Sequence, residues 1–398
     1  MGMAQLVLVA NPGSASRKYA LYDGDVLRAS VHFEHDADHV IYTFTTPQQS
    51  SSFATELSDL RDASSKVIEL LASKDALHSG ENIERIALRI VAPGSYFVQH
   101  RFIDGVFLGQ LQAALRRAPL HVAAALDELH ALREQFPDTP MFGISDSAFH
   151  VTKPPEAWLY GIPLDHADHL DIKRYGYHGL SMTSVVDSLK QHSLLTHSTV
   201  VAHIGSGVSV TALSGGASVD TTMGYSPLEG VVMASRSGSI DLIAAGVLAS
   251  ELGLDQKNLE HYCNSQGGLL GLGGSNDVRL LLEREAAGDD RARLALRVYT
   301  YQLQKAIGQM SAAAGGIDSL VFTGTIGLRS TQIRERIVNR LGYLGFAIDP
   351  AKNQTASNTV VTNIAAPTSK PIYIVATDEQ AVMAKLAAET PLEGTAQR

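Results

Sequence analysis

LVLVANPGSASRKYALYD, residues 6–23, runs from an unbroken apolar stretch through a turn of small polar residues into a second apolar stretch. TVVAHIGSGVSVTALS, residues 199–214, repeats that order in the second half of the chain. Short runs rich in Val, Ile and Leu, bounded by Gly, Ser and Pro, are strand and turn signals. The first unit therefore reads as a strand over 6–10, a loop over 11–18 and a strand over 19–27. The second reads as a strand over 199–204, a GSGVS loop and a strand over 210–214. Two strand–loop–strand units predict a duplicated architecture, one per half.

Working outward, residues 86–91, 141–144, 320–325 and 371–377 read as buried strands. Residues 51–75, 111–135 (broken by Pro119), 241–252, 289–314 and about 378 to 390 carry helical spacing, and Gly315-Gly316 is an ordinary helix stop. Strands alternating with helices argue an α/β fold. Pro154, Pro155 and Pro163 follow the 141–144 strand closely, which puts a domain boundary near residue 150. At roughly 150 residues per domain, a chain of 398 residues holds two or three domains.

Hydrophobic residues at 45% and charged residues at 18% suit a globular chain with a sizeable core. A net charge of −9 offers no basic face to nucleic acid or anionic lipid, so an anionic substrate would need local cations. Cys263 is the only cysteine, which excludes an internal disulfide framework and a cysteine-built zinc site and fits a reducing, cytoplasmic setting. The first apolar run is short and has no basic residues before it, so it reads as a strand rather than a signal peptide. No stretch approaches the roughly 18 apolar residues of a membrane span.

Three loops could hold phosphate. Asn11-Pro-Gly-Ser-Ala-Ser-Arg-Lys18 combines small residues that admit backbone N–H groups with Ser14, Ser16 and Lys18 as further donors. Taken singly, it fits a solvated hairpin tip equally well. His203-Ile-Gly-Ser-Gly-Val-Ser209 has the same character without charge. A Walker A loop is absent, and GGLLGLGG at 267–274 lacks the strand–GxGxxG–helix setting of a dinucleotide fold; it reads as a flexible loop before a helix cap at Asn276 or Asp277. Asp165-His-Ala-Asp-His169 has a metal-like composition, but reads as a solvated surface turn.

These motifs together resemble the acetate kinase family, of the sugar-kinase/heat-shock/actin superfamily, over nearly the whole chain. LVLVANPGSASRKYALYD is similar to its first phosphate loop, Arg89-Ile-Val91 to its Arg-Val-Val strand, and Ala118-Pro-Leu-His121 to its Pro-Leu-His turn. Asp146-Ser-Ala-Phe-His150 and Arg174-Tyr-Gly-Tyr-His-Gly179 follow in order. The longest match is SVDTTMGYSPLEGVVMASRSGSID at 218–241, and VFTGTIG at 321–327 and ATDEQ at 376–380 complete the series. The resemblance implies two duplicated ribonuclease H-like (actin-like ATPase) domains with an interdomain active-site cleft. Their expected spans are 1–150, joined by a returning C-terminal helix at 384–398, and 151–383. It also implies a homodimer.

The implied reaction is reversible transfer of the ATP γ-phosphoryl to a short-chain carboxylate, with Mg²⁺, giving acyl phosphate and ADP. A carboxylate is already ionised at neutral pH, so it needs no general base; the site must instead bring one anion toward another. Arg89 and Arg236 are candidates, since a guanidinium grips carboxylate or phosphoryl oxygens in parallel pairs. Arg89 lies in an apolar strand, where it needs an anionic partner, so a structural salt bridge is its alternative. His178 fits a donor to the phosphoryl in the transition state. Asp146 would hold Mg²⁺ or orient an arginine, and His121 would act in support. Glu379, with Asn11, would associate with metal, although Glu379 could merely open a last helix capped by Thr377. Ser14, Ser16, Lys18, His203, Gly205, Ser206, Gly207 and Gly327 would surround the nucleotide phosphates. Val91, Leu120, Tyr177 and Pro227 align with the acyl pocket. Tyr177 stands where the family usually has Phe; its hydroxyl would narrow the pocket or turn to water. Acetate and propionate differ by one methylene, worth only about 1–3 kcal/mol in such a pocket, so both stay open as the acceptor.

The chain departs from the family mainly on the nucleotide side. Ser206 replaces Asn, Ala234 replaces Gly, Ser239 replaces Asp, and Leu328-Arg329 replace Glu-Asn. Leu88 and Ala92-Pro93 replace histidine-containing neighbours of Arg89. These changes raise two alternatives: the same chemistry with a non-adenine donor such as pyrophosphate, or a non-catalytic relative that binds phosphate metabolites.

Overall fold

The computed structural model describes residues 6–13, 16–36, 39–57, 59–356 and 360–392. The chain separates into two compact units, residues 1–148 with 378–398, and residues 149–377.

The first unit is built on an eight-stranded sheet: β1 (Leu6–Pro12), β2 (Ser16–Asp23), β3 (Val26–Asp36), β4 (His39–Thr45), β5 (Ser50–Ala54), β6 (Arg85–Ile90), β7 (Arg101–Phe102) and β8 (Met141–Ser145). Their spatial order is β5-β4-β3-β2-β1-β6-β8-β7. β1 through β5 form an antiparallel meander, whereas β1, β6 and β8 run parallel. Parallel strands are covered on both faces, which is why β1 and β8 are near-continuous apolar runs with buried side chains. Helices Ala63–Ser73 and Pro119–Gln135 pack on this sheet, the latter starting with Pro at its first position, where a missing N–H does no harm. The helix Glu379–Glu389 packs on β1 and β6, and Arg85 at the start of β6 donates to the carbonyls of Ala387 (2.7 Å) and Thr390 (2.8 Å) at its far end.

The second unit has a six-stranded sheet: β9 (Ser198–Ile204), β10 (Val208–Ser214), β11 (Ala217–Thr221), β12 (Ser319–Thr323), β13 (Val361–Asn363) and β14 (Ile372–Val375), in the order β11-β10-β9-β12-β14-β13. Again three antiparallel strands lead into parallel ones, β9, β12 and β14. The run β3-β2-β1-β6-β8 and the run β11-β10-β9-β12-β14 thus share one topology, the duplication expected from the two strand–loop–strand motifs. The long helix Asp290–Ala313 packs on β9, β10 and β11.

Several expectations need correction. The loop over 11–18 is shorter, because β1 continues through Pro12 and β2 begins at Ser16, with Gly13 N–H closing onto the Ser16 carbonyl at 2.9 Å. The strand over 19–27 ends at Asp23, where Gly24 (φ 57°) turns the chain into β3. Residues 51–75 begin as the edge strand β5, and helix starts only at Ala63. GGLLGLGG is not a flexible loop: Gly268–Gly273 is a helix against Asp290–Ala313, and a Cβ at Gly273 would fall 2.8 Å from Leu281 and 2.9 Å from Ala295. Residues 165–169 likewise lie in a short helix, Leu164–His169, with Asp168 paired to Lys173. The expected returning segment 384–398 starts earlier, at Glu379, and residues 393–398 lie outside the described residues. Among the described residues no helix is long and apolar enough to cross a membrane.

Candidate active site

In an open parallel sheet, the carboxyl ends of neighbouring strands collect side chains at one edge. In the first unit, Asn11 is next to last in β1, Arg89 is next to last in β6, and Asp146 follows β8 directly. The sheet register therefore sets these three side by side. Arg89 Nη2 donates to Asp146 Oδ2 at 3.0 Å, and Nη1 donates to Asn11 Oδ1 at 3.4 Å. A fourth member comes from the returning chain: Glu379 Oε2 lies 3.0 Å from Arg89 Nη1. Glu379 opens its helix but does not cap it. Asp378 does, accepting from Ala381 N–H at 2.9 Å, and Thr377 is no cap but accepts from the Thr323 hydroxyl at 3.5 Å. The Arg89 side chain is 16% exposed and that of Asp146 2%, so the pairing is largely out of water. Burial alone would pull the guanidinium pKa down; the carboxylates of Asp146 and Glu379 outweigh it and hold Arg89 above its ordinary value. Among the described residues, buried Arg89 Nε has no hydrogen-bond partner.

Other expected members of this unit sit nearby in sequence but outside the cluster. Lys18 pairs in register with Asn11 and is exposed, Ser16 opens β2, and Ser14 lies outside the described residues. Arg17 between them points inward to Glu128. Val91 is half-buried just beyond β6; Leu120 lies in the helix Pro119–Gln135, and the side chains of Leu120 and His121 lie outside the described residues.

The second unit builds its own cluster. His178 precedes the helix Gly179–Gln191 with φ 61° and ψ 25°, a left-handed conformation unusual for a residue with a Cβ. That turn aims its ring at the β9–β10 loop. Nδ1 lies 2.9 Å from Ser209 Oγ, and the ring stacks on His203 with centroids 4.2 Å apart. His203 Nδ1 is in turn 2.8 Å from Ser181 Oγ. Arg236 Nη1 donates to the Pro227 carbonyl at 3.3 Å. Gly207 connects the two: a Cβ there would stand 3.1 Å from His178 Nε2 and 3.3 Å from Arg236 Nη1. The loop closes through Gly205 N–H onto the Gly207 carbonyl at 3.0 Å. Gly324 opens the third glycine loop with φ 77°, and a Cβ there would lie 2.7 Å from the Ile204 carbonyl oxygen, so only glycine lets helix Gly324–Arg329 meet the end of β9. Gly327 is buried within that helix.

The departures from the family pattern find a physical account here. Ala234 N–H donates to the Ser206 carbonyl at 3.2 Å, so two of the altered positions are bonded to each other. Ala234 is 6% exposed, with its carbonyl taken by Leu270 N–H, so its methyl is enclosed by the protein itself rather than projecting into open space. Ser239 Oγ accepts from Gly230 N–H at 3.0 Å. Arg329 is exposed at the end of its helix. Tyr177 is 1% exposed and its hydroxyl donates to the Tyr225 carbonyl at 2.7 Å, so it does not turn to water. Pro227 is buried two residues further on.

Some participants escape sequence reading. His150 is fully buried, with Nδ1 2.9 Å from Ser218 Oγ and Nε2 2.9 Å from the carbonyl of Tyr177, so it fixes the residue preceding His178. Ser209 closes the HIGSGVS loop but carries no signal of its own; only the register Ser209↔His203 shows what it faces. Among the described residues no group of three or more His, Cys, Asp and Glu side chains could hold a metal, Asp165–His169 included.

Two sheets of one topology, each ending in glycine loops and a charged or histidine cluster, define a phosphotransferase of the actin-like ATPase fold. Residues 6–385 match the Acetokinase family. The chain is 33% identical to the acetate kinase of Chromobacterium violaceum over 400 residues, covering 96% of this chain and 97% of that one. It is 35% identical to the acetate kinase of Micrococcus luteus over 389 residues, covering 96% and 98%. A propionate kinase from Francisella tularensis superposes with a TM-score of 0.88 at 31% identity, covering 97% of this chain and 100% of that one. Porphyromonas gingivalis acetate kinase gives 0.84 at 29% identity, covering 97% and 99%. The chain belongs to the acetokinase family. It is an enzyme, a kinase whose acceptor is a carboxyl group. The comparisons lend no support to a pyrophosphate donor or to a non-catalytic relative.

Proposed function

We propose that the protein catalyses reversible transfer of the γ-phosphoryl of ATP to acetate or propionate, giving acyl phosphate and ADP. The observation that carries this reading is the Arg89–Asp146–Glu379 cluster with Asn11 beside it. A carboxylate oxygen attacks the γ-phosphorus as the bond to the β-γ bridging oxygen breaks, and ADP leaves with that electron pair. No proton moves, so the protein's task is to hold anions together and neutralise charge as it shifts. Arg89, pinned in a fixed orientation by two carboxylates, presents its remaining edge to an incoming anion. Arg236 and His178 supply donors to the equatorial phosphoryl oxygens. Ser209 holds the His178 ring, and His150 holds the turn that carries it. Gly205, Ser206, Gly207 and Gly327, with His203, cradle the rest of the nucleotide, while Ser14, Ser16 and Lys18 contribute from the first loop. Val91, Leu120, Tyr177 and Pro227 meet the alkyl end of the acid.

Mg²⁺ fits this donor set. Asn11 and Glu379 offer hard oxygen ligands, few in number, and Mg²⁺ keeps most of its water and takes phosphate oxygens rather than an all-protein cage. When bound it would offset charge on the β- and γ-phosphates. A homodimer is also part of the reading. Helix Leu242–Leu252 is almost wholly apolar yet buries none of its residues, leaving Leu242 82% and Ile243 73% exposed, a face suited to a second copy of the chain.

Phosphorus NMR of the protein with Mg²⁺, ATP and either acid tests the proposal. Acyl phosphate and ADP growing in equal amounts support it, with the ratio of kcat/KM values ranking acetate against propionate. ADP and inorganic phosphate formed independently of the acid would overturn it.

A further inference from the structure

We propose that His100 is a positioning residue for the reaction: its ring accepts the last ladder hydrogen bond of β8 and thereby holds Asp146 where it can orient Arg89. The inference rests on the acyl-kinase reading above. β8 lies between β6 and β7, and its backbone N–H groups alternate between the two neighbours. Asp146 N–H faces β6 and donates to the Ile90 carbonyl at 3.0 Å. On the other side, Ile103 N–H bonds the Met141 carbonyl, and Arg101 pairs with Gly143. By that alternation Ser145 N–H is the next donor toward β7, but β7 is only two residues long and the chain has already turned away through the 3₁₀ turn Ser95–Phe97. His100 Nδ1 takes the place of the missing carbonyl, 3.1 Å from Ser145 N.

The bond holds more than one residue. Ser145 Oγ donates to the Phe97 carbonyl and accepts from Ser147 N–H at 3.1 Å, so the backbone on both sides of Asp146 is fastened. To accept, the ring must be neutral with its proton on Nε2; burial lowers its pKa to about 4, in keeping with that state. A serine N–H without an acceptor would free the strand end, and a shift there carries to Asp146 and on to Arg89.

Three variants test this: His100→Leu, which fills the space without an acceptor, His100→Asn, whose side-chain oxygen restores one, and His100→Ala, which opens a gap at the partly buried ring position. His100→Leu should lose about ten-fold or more in kcat with the KM values for ATP and acid close to wild type, and His100→Asn should recover most of that loss. Added imidazole should raise the kcat of His100→Ala, so the test holds even where His100→Leu does not fold. A His100→Leu kcat within two-fold of wild type, or an Asn variant and imidazole that restore nothing, overturns the inference. A wild-type protein that forms no acyl phosphate overturns instead the reading on which it rests.

Discussion

Arg89 answers to two carboxylates at 3.0 Å each, and its removal takes from Asp146 and Glu379 the cation they share. Breaking a buried pair in this way costs about 3–5 kcal/mol, so Arg89→Met should lower stability measurably by denaturant titration. Arg89→Lys keeps the charge but cannot span both acids; it should fold and still lose about 10²-fold or more in kcat, the scale of removing one donor from the transition state. A second test at this scale concerns pH. Lys153 is 4% exposed, and burial lowers its pKa from 10.5 to about 8. Between those values the folded protein has released the proton that the unfolded chain still binds, so this group's contribution to stability rises with pH from about 8 to 10.5, by roughly 2–3 kcal/mol. Urea titrations of wild type and Lys153→Met at pH 7.5 and 10 should show the wild type gaining relative to the variant; a difference independent of pH contradicts the assignment. Arg89 was legible in the sequence because a charge inside an apolar strand, as in IALRIV, needs a reason, whereas Asp146, Arg236 and Glu379 were picked out by the resemblance to the family. Their partners were not. Nothing in the sequence around His100, His150 or Ser209 says which backbone or ring each will meet, because that follows from the register of strands distant in the chain.

At the scale of elements, the glycine loops act as spacers against side chains. Gly207→Ala would press a methyl onto His178 and Arg236, which should lower kcat by about 10²-fold while Tm stays near that of wild type, since the loop is not part of a core. Gly273→Ala does the reverse: its methyl meets Leu281 and Ala295 inside a helix packing, so it should cost about 1–3 kcal/mol of stability. Calorimetry and kinetics on the pair separate the two effects. β1, β9 and the parallel strands were readable because burial on both faces makes them uninterrupted apolar runs. β3, β4 and β5 were not, because the antiparallel end of the sheet leaves many of its side chains partly in water; at the edge every residue of Ser50–Ala54 is exposed and polar signals mask the strand. Helix Gly268–Gly273 defied its glycine content because it forms through packing on the long helix Asp290–Ala313, where tertiary contact overrides propensity.

For the whole molecule, duplication is the organising fact. One topology appears twice, and the chain returns at its end so that helix Glu379–Glu389 delivers an acid to the first sheet. The homodimer proposal makes its own prediction: sedimentation of the wild type should give about twice the 42.5 kDa chain mass, and Leu242→Asp with Ile243→Asp should shift it toward one. The central claim, transfer of phosphoryl to a carboxylate by these residues, is tested most directly by hydroxylamine trapping. Purified protein with Mg²⁺, ATP and acetate should yield acetyl hydroxamate in proportion to enzyme, and His178→Ala, folded by circular dichroism, should yield little. Absence of hydroxamate from the wild type with acetate and with propionate, or an undiminished yield from His178→Ala, would contradict the account.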